Sequence, residues 1–581
     1  MDKAATRRAL LKGSALGLVA GLTGRIGNAQ TAREQAATRP PPAPGDATPA
    51  PSAPAAATIE ADLPATERVL GLSYTGAERT QLARGYEQVL TQLQAVRKLD
   101  LPNDLSPAAR FDPRLPGKSY AMPERGIRGK APSAGPLPAA PADIALAPAW
   151  KLAQWLRARA ISSAELTRLY LDRIERLGPR LENFITVTPE LALEQAAAAD
   201  ADLSRRRVRS ALHGVPYGLK DLFDVSGVRT TWGAEPYKDR IATSDAAVVE
   251  KLKNAGAVLL GKTAVGALAY GDIWHDGKSR NPWNPEEGSS GSSAGSASAT
   301  AAGLAGFSIG TETLGSIVSP SHRCGTTGLR PTFGRVSRHG AMALCWSWDK
   351  TGPIARTVAD CGLALDVLNG GDVRDWGSID APFGFDWRSK LEGLRMGYVP
   401  ALFETDGVTD VDKRALAAMR DTGTKLVEVT LPPLPFASLS PLVGLEAAAC
   451  FSQLTLTNRD DELEWQADMA WPNSWRRAHL YPAVEMVQLE RLRRQAMVAL
   501  DEVFGRVDVL IGPNYAGGAL VATNATGHPS LVLKAGFIEA PTRGLRDDPI
   551  DPQGPKYRVP RAISLWAGLF REDALITAGR A

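Results

Sequence analysis

Residues 288–318 read G-S-S-G-S-S-A-G-S-A-S-A-T-A-A-G-L-A-G-F-S-I-G-T-E-T-L-G-S-I-V, and this stretch decides the fold. Each glycine in a regular element costs roughly 0.5–1 kcal/mol of backbone entropy, so such a run is either a loose linker or backbone packed closely against something. A linker would not continue into the Ala-rich segment 297–302 and the apolar segment 304–309. We therefore expect the backbone here to pack closely against another element.

Further motifs flank this stretch in a fixed order. Upstream lies G-V-P-Y-G-L-K-D (214–221), and downstream come C-G-T-T-G-L-R-P-T (324–332), T-G-P-I-A-R-T-V-A-D (351–360) and T-N-A-T-G-H-P-S (523–530). Together they resemble the amidase signature family of serine hydrolases, from about Ala145 to the C-terminus. Alternating strand and helix signals over this length imply an α/β domain. The resemblance implies a single large mixed β-sheet covered by helices on both faces.

The resemblance also implies a Ser–Ser–Lys catalytic arrangement whose middle serine follows a cis peptide bond. The lysine is Lys220, the bridging serine is Ser292 and the nucleophile is Ser316. The two serines are 24 residues apart, which matches the spacing in the family. The pair Ser289–Ser290 competes for the bridging role, but it would lengthen that interval and lacks the small-Gly-Ser pattern that follows Ser292.

A serine hydroxyl becomes a good nucleophile when a neighbouring base removes its proton. Lysine is such a base only when neutral, so burial or nearby positive charge must lower its pKa. The implied relay runs from Ser316 through Ser292 to Lys220, a known variant of the Ser-His-Asp logic. The resemblance assigns the oxyanion hole to the backbone N–H groups of Thr313, Leu314, Gly315 and Ser316.

Two positions depart from the family pattern. Leu314 stands where the family has a small residue, and Val318 stands where it often has an arginine that could bind a carboxylate. Both departures favour a neutral, apolar substrate. The segment 462–486 is rich in Trp and Met, and by resemblance Trp465, Met469 and Trp471 are candidates for substrate binding, with core packing as an equal alternative.

The sequence gives little support to cofactor, nucleotide or metal chemistry. G-A-V-L-L-G-K-T (256–263) matches a phosphate-loop pattern, but its apolar middle indicates a buried strand, after which Lys262 would be a turn residue. The six histidines lack the close spacing of a metal site, and the four cysteines are scattered without a C-x-x-C motif. We expect no cofactor and no metal.

The N-terminus resembles a twin-arginine export signal, with T-R-R-A-L-L-K at 6–12, small and apolar residues up to Leu22, and a plausible cleavage site at 27–29. The segment 1–29 holds five basic residues and one acidic residue, and its removal leaves 62 of each. A mature chain without net charge offers no global support for nucleic-acid binding. We expect a periplasmic or secreted protein that has no membrane anchor after cleavage.

The composition divides the chain into five segments. They are the signal at 1–29, a Pro/Ala-rich linker at 30–58, a helical extension at 59–130, a second Pro/Ala-rich linker at 131–144 and the catalytic domain at 145–581. A capping box, Ser162-x-x-Glu165, predicts the first helix of that domain, which Gly178–Pro179 should end.

These features predict an exported amidase that cleaves a C–N bond through an acyl-enzyme. The expected substrate is a neutral, apolar small-molecule amide, anilide or carbamate, and no nucleic acid is expected as a partner. An esterase or a peptide amidase on the same residues stays open, as does a catalytically silent binding protein. The export signal disfavours a subunit of a tRNA-dependent amidotransferase. The sequence leaves the oligomeric state open.

Overall fold

A computed structural model describes residues 56–99, 101–543 and 553–581. The predicted export signal at 1–29 and most of the first predicted linker lie outside these residues. The helices are α1 (Ala56–Leu70), α2 (Gly76–Arg97), α3 (Pro141–Ala145), α4 (Ala149–Arg157), α5 (Ser163–Leu181), α6 (Pro189–Ser204), α7 (Ala247–Asn254), α8 (Ala294–Ala301), α9 (Val318–Cys324), α10 (Val358–Leu368), α11 (Asp410–Asp421), α12 (Pro441–Cys450), α13 (Ser452–Leu456), α14 (Trp471–Ala478), α15 (Ala483–Arg506), α16 (Ala519–Ala525) and α17 (Glu572–Arg580).

The strands are β1 (Gly126–Arg128), β2 (Phe184–Val187), β3 (Pro216–Lys220), β4 (Val258–Thr263), β5 (Ile273–Trp274), β6 (Gly277–Lys278), β7 (Arg280–Asn281), β8 (Asn284–Gly288), β9 (Phe307–Glu312), β10 (Thr327–Arg330), β11 (Lys350–Ala355), β12 (Gly384–Asp386), β13 (Met396–Tyr398), β14 (Leu426–Glu428), β15 (Val509–Pro513), β16 (Ser530–Pro541) and β17 (Lys556–Ala567). None of the described helices is both long and apolar enough to cross a bilayer.

Eleven strands form one mixed sheet in the order β14-β13-β15-β17-β16-β10-β11-β9-β3-β4-β2. β3 pairs in parallel with both β4 and β9, whereas β9 and β11 are antiparallel. Every residue of β3, β4 and β11 is buried, as expected for strands covered on both faces. The predicted α/β class with one large mixed sheet between helical layers is confirmed.

The Gly/Ser-rich stretch does pack closely against the sheet. It forms α8, whose residues up to Thr300 are all buried. A Cβ atom on Gly295 would lie 2.2 Å from the Asn183 carbonyl oxygen and 2.3 Å from the Ala264 nitrogen. Only glycine fits there, so the composition of this helix follows from its close approach to neighbouring backbone.

The helix α5 begins as the sequence predicts and ends later. The Ser162 hydroxyl accepts from the Glu165 N–H, and the Glu165 carboxylate accepts from the Ser162 N–H. The predicted stop at Gly178–Pro179 is wrong, since the helix runs to Leu181 and Glu182 caps it in a left-handed conformation. Pro179 lies within the last turn, where a proline removes only one hydrogen bond before the helix ends.

The N-terminal segment contains two helices and then joins the core. α1 and α2 pack on each other, and the Glu67 carboxylate accepts two hydrogen bonds from Arg79, at 2.8 and 2.9 Å. Residues 101–125 have no regular element, and β1 then pairs in parallel with β12. The segment preceding the sheet is therefore tied to the body of the protein by strand pairing.

Candidate active site

Three side chains from separate parts of the sequence form one hydrogen-bonded chain. Lys220 is the last residue of β3, Ser292 lies in the turn before α8, and Ser316 lies in the turn between β9 and α9. The Lys220 Nζ is 2.9 Å from the Ser292 Oγ, which is 2.9 Å from the Ser316 Oγ. The structure thus brings together the three residues that the resemblance singled out, and it places a cis peptide bond between Gly291 and Ser292.

Burial lowers the pKa of the lysine at one end of this hydrogen-bonded chain. Lys220 has no solvent exposure, and desolvation lowers the pKa of its ammonium group to about 7. Its Nζ also donates to the Thr311 Oγ1 at 2.8 Å and to the Thr311 carbonyl oxygen at 3.5 Å. Because a lysine with this pKa is largely neutral just above pH 7, it can act as a base in the physiological range.

The turn that carries Ser316 is shaped to expose backbone donors. Gly315 has a φ of +91°, a conformation that L side chains rarely adopt. The Ser293 N–H donates to the Ser316 carbonyl at 3.1 Å, and the Ser319 N–H donates to the Gly315 carbonyl at 2.7 Å. Among the described residues, the N–H groups of Leu314, Gly315 and Ser316 donate to no backbone carbonyl outside the helices and strands. These N–H groups fit the oxyanion hole implied for residues 313–316.

A buried carboxylate fixes the turn after the serine, and the sequence analysis missed it. The Glu312 Oε2 accepts from the N–H groups of Ile317 and Val318, at 2.8 and 2.9 Å. Its Oε1 accepts from the Arg330 Nη1 at 2.7 Å and the Asn524 Nδ2 at 2.8 Å. Glu312 and Arg330 lie inside the motifs that carry the resemblance. Two ionisable residues of opposite charge within otherwise apolar strands were the signal that could have indicated this buried ion pair.

The competing pair of serines takes no part in the relay. The Ser289 Oγ donates to the Ser279 Oγ at 3.0 Å, and the Ser290 N–H donates to an Asp272 carboxylate oxygen at 2.7 Å. Both contacts tie this segment to the preceding hairpins. Ser292 is therefore the member of the Gly/Ser run that bridges lysine and nucleophile.

A cavity of about 70 Å³ lies close to these groups, although Lys220, Ser292 and Ser316 are not among the residues that line it. Thr311 and Thr313 line it on the catalytic side, and the Thr313 Oγ1 donates to an Asp349 carboxylate oxygen at 2.5 Å. A cavity needs roughly 10–15 Å³ on this measure to hold one water molecule, so this one admits a small group such as a carboxamide. Its lining is mixed, with charged and apolar side chains that include Asp104, Arg338, Trp346 and Asp349.

The three predicted substrate-binding residues are not among the side chains that line this cavity. Trp465 and Trp471 pack on the ring of Tyr270, with centroids 5.1 and 5.2 Å away, and Trp471 also stacks on Trp475. Met469 is about half exposed. Since Tyr270 follows Ala269, which does line the cavity, the two tryptophans lie one layer behind its wall.

The two departures from the family pattern do not form an apolar pocket. Val318 is buried against Val532 and Ala562, and Leu314 packs against a hydrophobic cluster that includes Trp348. Neither side chain lines the cavity. The inference from these positions to a neutral, apolar substrate therefore loses its structural basis.

Lys262 is a structural residue, although not in a turn as predicted. It lies inside β4, fully buried, and its Nζ is 2.9 Å from an Asp221 carboxylate oxygen and 2.8 Å from the Thr230 hydroxyl. Asp221 directly follows the catalytic lysine. The buried pair thus anchors the end of β3, and the backbone that would have to wrap a phosphate is a strand.

Comparison with known proteins identifies relatives over most of the chain. Residues 165–534 match the family model described as Amidase. The A subunit of the glutamyl-tRNA(Gln) amidotransferase from Coxiella burnetii strain Dugway 5J108-111 is 40% identical over 314 residues, which are 52% of this chain and 64% of that protein. Its counterpart from Pseudomonas entomophila strain L48 is 35% identical over 478 residues, or 73% of this chain and 94% of that protein.

The fold has solved counterparts. The native peptide amidase from Stenotrophomonas maltophilia superposes with a TM-score of 0.62 at 27% identity, covering 74% of this chain and 95% of that structure.

The relatives overturn two expectations. The predicted hydrolase of neutral, apolar small molecules is contradicted by curated relatives that are named as amidotransferase subunits, at 34–41% identity. The expected set of partners, a small-molecule substrate and no nucleic acid, is contradicted by the same names, which describe one subunit of an enzyme that acts on a tRNA. The substrate expectation relied on Leu314 and Val318, neither of which lines the cavity. The partner expectation relied on the zero net charge of the chain without residues 1–29.

Proposed function

This chain belongs to the amidase family, and on that premise we propose that it is the amide-cleaving subunit of an amidotransferase. It is an amidohydrolase-type enzyme of the serine class. The proposed reaction is hydrolysis of a primary carboxamide of the glutamine type, with release of ammonia. The observation that carries the proposal is the continuous chain from Lys220 through Ser292 to Ser316, beside a cavity that admits a carboxamide.

The geometry supports a two-step acyl transfer. Neutral Lys220 takes the Ser292 proton as Ser292 takes the Ser316 proton, and the Ser316 Oγ forms a bond to the amide carbon. The oxygen of the tetrahedral intermediate gains negative charge and faces the N–H groups of the 313–316 turn. The proton returns through Ser292 to the leaving nitrogen, the C–N bond breaks and ammonia departs. Water then cleaves the acyl-enzyme by the same relay.

The relatives support a partnered enzyme. They are named as the A subunit of a glutamyl-tRNA(Gln) amidotransferase, so we propose that this chain also works with partner subunits that use the ammonia. The chain spans 64% of the length of the first of these relatives, and the activity of the whole assembly is part of the proposal.

A direct test measures ammonia released from glutamine by the purified chain and by its Ser316→Ala variant. The proposal predicts release by the parent chain and a loss of at least a hundredfold in the variant. A Ser438→Ala variant is the matched control, because Ser438 is exposed in the short 3-10 helix Phe436–Leu439 and does not line the cavity, so the rate should stay unchanged. Equal ammonia release by the parent and Ser316→Ala would reject the proposal.

We also propose that residues 1–29 direct export, which the T-R-R-A-L-L-K motif, the small and apolar residues up to Leu22 and the cleavage site at 27–29 support. Export would count against the role in a tRNA-dependent amidotransferase. A reporter fused behind residues 1–29 should be exported, and replacing Arg7 and Arg8 by lysine should retain it in the cytoplasm. Retention of the unaltered fusion would reject this proposal. The cleavage chemistry at Ser316 does not depend on the outcome.

A further inference from the structure

The segment before the family domain reaches the catalytic cavity. Asp104 and Ser106 line the cavity, although the family match begins only at residue 165. Thr311 and Thr313 line the same cavity, and the Thr311 hydroxyl accepts from the Lys220 Nζ at 2.8 Å. A side chain outside the family domain therefore contributes to the wall that a substrate would meet.

This wall is held in place by one asparagine. The Asn103 Oδ1 accepts from the Ala343 N–H at 2.7 Å, and its Nδ2 donates to the Ala343 carbonyl at 3.0 Å and the Cys450 carbonyl at 3.3 Å. The Trp346 indole N–H donates to the Asn103 carbonyl at 3.2 Å. Ala343 and Trp346 themselves line the cavity, so Asp104 is fixed against it rather than free to move away.

The cations in the cavity wall already have partners. Arg338 makes two hydrogen bonds to Asp375, at 3.1 and 2.8 Å. Arg374 binds Glu250 at 2.7 Å and Asp372 at 2.9 Å. Lys350 donates to the carbonyls of Trp348 and Asn524, and burial holds its pKa well below the usual range. A substrate carboxylate would find no unpaired cation here among the described residues.

Two carboxylates in the wall form no salt bridge within the part of the chain that the structure describes. Asp349 accepts from the Thr313 hydroxyl and from the N–H groups of Leu344 and Cys345, all neutral donors. Asp104 forms no ion pair with any residue that the structure describes, and its side chain is exposed at the cavity. Asp104 is therefore a carboxylate of the wall that is available to a cationic group.

We propose that Asp104 is a specificity-determining residue that binds a positively charged group of the substrate, so that the enzyme prefers primary amides carrying an ammonium group. This inference rests on the proposed amide hydrolysis at Ser316 and names its substrate class. In glutamine, the α-ammonium group is the part that finds a partner in this wall. A carboxylate at the same position would lose water without gaining a cation.

The test compares three primary amides of matched length on the full chain: 4-aminobutanamide (cation), pentanamide (neutral) and glutaramate (anion). Ammonia release gives kcat/KM for each. The parent chain should favour the cation over the neutral amide by up to about fivefold, the range expected for one exposed ion pair, and should use the anion least. In Asp104→Asn this cation-to-neutral ratio should fall to about one, mainly through KM, and Asp104→Glu should restore part of it.

Asp421→Asn, an exposed carboxylate at the end of α11 and away from the cavity, should keep the parent's ratio. An equal loss for all three amides in Asp104→Asn would assign Asp104 a purely structural role and overturn the inference. A parent chain that favours glutaramate, or that treats the three amides alike, would overturn it too while leaving amide hydrolysis standing. Hydrolysis of none of the amides, glutamine included, would overturn both proposals.

Discussion

The pH dependence of amide cleavage follows from the burial of Lys220. Desolvation lowers the pKa of its ammonium group to about 7, and only the neutral amine can accept the Ser292 proton. At pH 6 about a tenth of the enzyme then has a neutral lysine, and at pH 8 about nine tenths, because each pH unit changes the ratio tenfold. We expect kcat/KM to rise about tenfold between pH 6 and pH 8 and to level off above.

The assay is ammonia release at glutamine concentrations below KM, so that the profile reports the ionisation of the free enzyme. Lys220→Ala should be nearly inactive over the whole range. Lys253→Ala, which removes an exposed lysine of α7, should keep the parent's profile. The reasoning would be refuted by a rate that keeps climbing tenfold per pH unit through pH 9, as an unshifted lysine near 10.5 requires, or by Lys220→Ala with most of the parent's rate.

Three further predictions concern residues around the triad. Gly291→Ala should reduce kcat at least a hundredfold, because a Cβ atom there would lie 1.7 Å from the Gly271 carbonyl oxygen and would displace Ser292. The control is Gly444→Ala, where a Cβ atom meets nothing within 4 Å and kcat should stay unchanged. A Gly291→Ala variant with the parent's kcat would contradict the geometry. Glu312→Ala should lower the free energy of unfolding by about 3–5 kcal/mol, since it leaves Arg330 buried without its partner, and a denaturant midpoint equal to the parent's would speak against this. Lys220→Met should be inactive but more stable at pH 7, by on the order of 1–5 kcal/mol. The pKa of Lys220 in the folded state lies below its unfolded value near 10.5, so the unfolded parent chain binds one more proton than the folded chain between pH 7 and 10.5. The stability advantage of Lys220→Met over the parent should therefore shrink as the pH rises through that window. A pH-independent difference in stability between the two proteins would exclude the assigned ionisation.

Much of the catalytic centre was predictable because its residues lie in local sequence motifs that a particular backbone conformation requires. The Gly/Ser run, the G-L-K-D strand end and the E-T-L-G-S turn each require particular residues at particular positions, and their order along the chain identified Lys220, Ser292 and Ser316. The buried strand at 258–263 was equally legible from its apolar run. In these segments the local sequence and the tertiary environment demand the same residues.

The directions of individual side chains were not predictable. Val318 and Leu314 are close to Ser316 in sequence, yet both turn into hydrophobic clusters instead of the cavity. Lys262 reads as a turn residue because a charge seldom ends a buried strand, and only its distant partner Asp221 explains its burial. The sequence around Asn103 does not predict where this loop packs, because its contacts are made to residues more than 200 positions away.

The most direct test of the central claim is mass spectrometry of the chain after rapid acid quench during turnover of glutamine. We expect a covalent acyl adduct on the tryptic peptide that contains Ser316, lost in Ser316→Ala and diminished in Lys220→Ala. An adduct on Ser292 or Ser289, or turnover with the adduct absent and with full activity in Ser316→Ala, would contradict the claim.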